Sequence, residues 1–112
     1  RSGTSYGYDG ALDQSDAQAY QIMTKLTSSG DNDSHVSGIL TTFAFGRNTT
    51  LYKNFYFKTL SMYDNDGSSE SFQMVQGSGQ IVNTRKVDDI SFKFASGNID
   101  SGFIKMYGIS IS

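Results

Sequence analysis

Val87-Asp-Asp-Ile-Ser-Phe-Lys-Phe-Ala-Ser-Gly-Asn-Ile-Asp-Ser-Gly-Phe-Ile-Lys-Met-Tyr-Gly-Ile-Ser-Ile-Ser112 is the stretch whose reading decides the fold. Ile90, Phe92 and Phe94 alternate with Ser91 and Lys93, the two-residue period of a strand with one covered face. Ser96-Gly-Asn-Ile-Asp-Ser-Gly102 breaks that pattern with two glycines. Phe103 to Ile109 then reads as a second strand, in which Gly108 marks a bulge or a close backbone approach. The pair predicts antiparallel strands joined by a loop slightly longer than a tight hairpin.

Working outward, the same alternation recurs upstream. Tyr20, Ile22, Thr24 and Leu26 alternate with Gln21, Met23 and Lys25, predicting a strand over Ala19 to Thr27. Ser28 to His35 is a loop by composition, and Val36 to Phe45 a strand followed by a turn at Gly46-Arg-Asn-Thr-Thr50. Asn54 to Tyr63 is the most apolar segment, with Phe55, Phe57 and Thr59 opposed to Tyr56, Lys58, Leu60 and Met62. Apolar residues on both sides predict a central strand, or one whose second face meets another subunit. After the loop Asp64 to Glu70, Ser71 to Val75 and Gln80 to Thr84 read as a pair around a turn at Gln76-Gly-Ser-Gly79. No amphipathic helix separates these strands, as parallel packing would require. The expectation is an all-β single domain, an antiparallel β-sandwich of jelly-roll type over residues 17–112, preceded by a flexible leader or arm over 1–16.

Composition agrees with that class. The 112 residues include seven Tyr, eight Phe, 12 Gly and no Pro, so turns rely on Gly, Asn, Asp and Ser. The absence of Cys excludes disulfides and thiolate metal sites. Nine basic and 11 acidic side chains give a net charge of −2, and Arg85-Lys86 is the only adjacent basic pair, read as a solvated hairpin end beside Asp88-Asp89. Neither a nucleic-acid partner nor membrane insertion is expected from this pattern. The first residue is Arg1 and not Met, which fits a piece of a longer polypeptide.

The closing stretch also carries a resemblance. Val87-x-x-Ile90-x-Phe92, the Ser96-Gly-Asn98 loop and Ser101-Gly-x-Ile-Lys-Met-Tyr-Gly-Ile109 resemble a C-terminal signature of tailed-bacteriophage virion proteins. Gly102, Ile104, Lys105, Tyr107, Gly108 and Ile109 fall in place, while Phe103 and Met106 depart from the small or β-branched residue and the leucine usual there. The resemblance implies a small β-sandwich domain of a tail fibre, tailspike or receptor-binding protein on the virion surface. It further implies a homotrimer in contact with other virion proteins. The expected work is host attachment through the loops, to a surface glycan or protein receptor. The alternative is a capsid decoration, cement or head-fibre protein that stabilises the particle without a receptor.

Catalysis is not expected. His35 is the only histidine, and its neighbours Ser34 and Asp33 lie in one loop without the geometry of a triad. Glu70 is the only glutamate, and Asp88-Asp89 would point to opposite faces of a strand, so no facing carboxylate pair for glycoside hydrolysis emerges. Asp64, Asp66, Ser68 and Glu70 alternate in a loop rich in hard oxygen donors, and Asp64, Asp66 and Glu70 form a weak calcium candidate; a solvated Asp-Gly turn is the stronger reading. No other cofactor is expected. Asn32-Asp-Ser34 and Asn48-Thr-Thr50 match the glycosylation sequon, a pattern that arises readily in so Asn- and Ser-rich a chain. Tyr6, Tyr8, Tyr52, Tyr56 and Tyr63 remain as candidates to stack on sugar rings or seal a subunit interface.

Overall fold

The computed structural model describes residues 20–24, 35–48, 50–63, 71–95 and 97–109. They contain one antiparallel sheet in the order β1-β2-β3 and no helix. The strands are β1 (His35–Phe43), β2 (Lys53–Tyr63) and β3 (Ser71–Ile81). Thr41 lies opposite Tyr56 and Leu40 opposite Phe57, while Phe57 lies opposite Gly77 and Leu60 opposite Met74. The segment with apolar residues on both sides is thus the central strand, as its composition predicts. Ala44 follows β1 at φ 61°, and the Arg47 amide donates to its carbonyl at 3.3 Å, closing the turn.

Alternation divides the sheet into two faces. On the inner face Lys53, Phe57, Thr59 and Ser61 are buried, and Phe55, Leu40, Thr42, Gln73 and Val75 are half-buried. Residues 20–24 contribute to its cover: Thr59 Oγ1 donates to the Met23 carbonyl, and Thr24 Oγ1 donates to Ser61 Oγ at 3.1 Å. Lys93 Nζ stands 4.0 Å from the centroid of the Tyr20 ring, which ties the closing stretch to the same layer. The outer face carries Ile39, Phe43, Tyr56, Leu60, Phe72 and Met74, all exposed.

The structure corrects the reading of residues 71–84. Gln76-Gly-Ser-Gly79 is not a turn but the middle of a single 11-residue strand that pairs along β2 from end to end. The two glycines answer to space. The Phe55 and Phe57 rings lie nearly parallel, with centroids 6.4 Å apart, and spread over the neighbouring strand. A Cβ at Gly77 would sit 2.7 Å from Phe57 Cζ, and one at Gly79 would collide with the Phe55 ring. Glycine inside a strand marks a close approach as readily as a turn, and here a ring takes the place of a side chain.

The predicted pairing at the C-terminal end also differs. Residues 20–24, 87–95 and 97–109 belong to no strand ladder, and among the described residues no backbone–backbone hydrogen bond joins 88–109 to the rest. Alternation specifies which residues share a face but leaves open which strand supplies the partner. Gly97 and Gly102 have φ of 76° and 139°, conformations that side chains other than glycine rarely adopt.

Candidate binding surfaces

Three surfaces of the described residues bear on binding, and each arises from a local cause. The first is the outer face of the sheet. Tyr56 sits at its centre, between Thr41 and Ser78 on the flanking strands, and donates its hydroxyl to Gln76 Oε1 at 3.2 Å. Tyr52, immediately before β2, is exposed to a similar extent. Tyr63 ends β2, and its side chain lies outside the described residues, as do Tyr6 and Tyr8. The five tyrosines are therefore not brought together into one described aromatic platform. The calcium candidate Asp64, Asp66 and Glu70 also lies outside the described residues. Among the residues described, no cluster of three His, Asp or Glu side chains suits a metal ion. His35 opens β1 opposite Met62.

The second surface is the closing segment, residues 103–109. Phe103, Met106, Tyr107 and Ile109 are 85%, 86%, 81% and 93% exposed, and Ile104 is exposed as well. Lys105 Nζ lies 5.4 Å from the Phe103 ring centroid. These side chains present on the order of 700 Å² of largely apolar surface, taking about 150–250 Å² for a large side chain. In contrast, Phe57 is the one buried apolar residue among those described.

The third surface was not legible in the sequence. At the end of the sheet where β1 turns into β2, residues 45–48 lie against 84–87. The Val87 amide donates to the Phe45 carbonyl at 2.7 Å, and the Lys86 amide donates to Asn48 Oδ1 at 2.8 Å. An open groove of about 460 Å³ runs between them, lined by Asn48, Thr50, Thr84 and Arg85. Lys53 is fully buried below Thr84 and donates its ammonium to that carbonyl at 3.1 Å. Lys53, Arg85 and Lys86 thus come together from two separate parts of the sequence, and Arg47 precedes Asn48 in the chain. These are four of the nine basic residues of a chain whose net charge is negative. Lys86 is paired with Asp88 at 2.9 Å, both exposed. The guanidinium of Arg85 has no ion pair among the described residues. The only sequence signal was the Arg85-Lys86 pair; its partners were hidden because the antiparallel closure, not spacing, gathers them.

No family, curated protein or solved structure matches the chain in sequence or fold comparisons. What stands defined is a three-stranded antiparallel sheet, with most large apolar side chains of the described residues exposed. No helix of the described residues is long and apolar enough to cross a membrane.

Proposed function

We propose that this chain is a non-enzymatic virion-surface domain of tailed-bacteriophage type, a β-sandwich that works as a homotrimer and attaches the particle to its host. The observation that carries the reading is the state of the closing stretch. The residues that resemble the phage signature, Ile104, Tyr107 and Ile109 among them, are exposed apolar side chains without a ladder partner in the described chain. A segment that leaves so many apolar side chains exposed calls for cover by another surface. Its roughly 700 Å² approaches the ~800 Å² that each partner contributes to a standard interface.

In this reading the three strands form one layer of the sandwich. Residues 20–24 and 87–94 belong to the second layer over the inner face, where Thr59 and Ser61 already hold Met23 and Thr24. The outer face, with Ile39, Leu60, Phe72 and Met74, and the 103–109 segment face neighbouring copies or other virion proteins. The polar loops stay outside, where a rigid scaffold presents them for recognition, and copy number multiplies weak contacts. Adhesion of the purified chain to bacterial cells, with labelled antibody placing it on the phage tail in electron micrographs, is the expected result. Labelling confined to the head, with no adhesion, would establish the decoration role instead.

A further inference from the structure

We propose that the groove lined by Asn48, Thr50, Thr84 and Arg85 binds an anionic saccharide, a sugar unit bearing a carboxylate or a phosphate. The inference rests on the attachment reading and gives it a location and a ligand class.

The donor set points to that chemistry. Arg85 offers a planar fork of N–H donors that fits two oxygens of a carboxylate or phosphate at once. Thr50 and Thr84 line the same groove with hydroxyls that both donate and accept, the groups a sugar's own hydroxyls pair with. Asn48 Oδ1 is engaged by the Lys86 amide, which fixes the carboxamide and leaves its NH₂ donors for a ligand. Beneath them the buried Lys53 ammonium is held by the Thr84 carbonyl and Lys86 is matched to Asp88, so the charge that Arg85 presents at the groove has no ion-pair partner among the described residues. That charge is opposite in sign to the net charge of the chain and favours an anion. The groove is open to solvent, so a ligand there would be held along one side only, as one or two units of a longer polymer passing through would be. A neutral glycan would leave the Arg85 fork without a partner.

The test titrates the intact chain, followed by NMR shifts of its amides, with a uronic-acid disaccharide, a hexose 6-phosphate, a neutral disaccharide and inorganic phosphate. The expected result is saturable shifts at residues 47–50 and 84–86 with at least one charged sugar, and none with the neutral one. Arg85→Gln should weaken that binding by about tenfold or more, the factor that corresponds to losing one charge-assisted pair. Arg85→Lys should retain part of it, and Lys58→Gln on the outer face should leave it unchanged. Which charged sugar binds separates carboxylate from phosphate recognition. Equal binding of the neutral disaccharide, indifference to Arg85→Gln, or a response to inorganic phosphate alone would each overturn the proposal. Adhesion to bacterial cells that survives Arg85→Gln would remove the groove and keep attachment. Saccharide binding by a chain that adheres to no cell would do the reverse.

Discussion

Gly77→Ala tests the inner face at its tightest point. The added methyl would lie 2.7 Å from Cζ and 2.9 Å from Cε1 of Phe57, well inside van der Waals contact. Phe57 is 3% exposed, so its ring cannot swing into solvent, and Phe55 stacks beside it. Overpacking of this kind costs about 1–3 kcal/mol, and removing a strand glycine returns about 0.5–1 kcal/mol of unfolded-state entropy. A net loss of about 1–2 kcal/mol is expected. With a urea slope of about 1–3 kcal/mol/M, the midpoint should fall by roughly 0.5–1 M. The decisive arm is the double variant Gly77→Ala with Phe57→Leu. Leucine removes the atoms that the methyl meets, so the two changes should be coupled by about 1 kcal/mol or more. A neutral Gly77→Ala, or a loss that simply adds to that of Phe57→Leu, would refute the ring-over-glycine packing. It would return residues 76–79 to the turn that their composition suggests.

Other expectations follow from single contacts. Ala44 holds a left-handed backbone at φ 61°, which costs a side-chain-bearing residue about 1–2 kcal/mol. Ala44→Gly should therefore raise the thermal midpoint by a few degrees, and a fall would contradict the strained turn. Thr59→Val deletes the hydroxyl that holds the Met23 carbonyl; about 1 kcal/mol of stability should go, and amide exchange should quicken across 20–24 before it does in β2. Exchange that quickens equally everywhere would deny the link. Lys53→Ala removes both a buried stem and the bond to the Thr84 carbonyl, so melting should drop by about 5–10 °C. An unchanged melting temperature would mean that residue 84 is held by other contacts.

How far the sequence carries can be seen residue by residue. The strands at 35–43 and 53–63 were legible because Phe55 and Phe57 alternate cleanly with Tyr56 and Lys58, and period-two alternation directly reports the two faces of a pleated ribbon. The glycines at 97 and 102 do break the alternation where the backbone takes positive φ, but the strands expected on either side of them did not form a ladder. Gly77 and Gly79 misled because the reason for them, two phenyl rings, lies on another strand about 20 residues away. The partner of Phe103 to Ile109 was not legible either, since alternation is silent on pairing. The groove at Arg85 lay beyond reach for a related reason: Asn48, Lys53 and Arg85 come together only after the chain doubles back.

In the proposed trimer the apolar outer face and the 103–109 segment are covered by further copies of the chain. Sedimentation equilibrium from low to high micromolar concentration measures this most directly. The expected mass is three times the 12.3 kDa of one chain, with Ile104→Asp plus Met106→Asp shifting it to that of a folded single chain. A sharp 12.3 kDa species at every concentration, unaffected by those two substitutions, would contradict it.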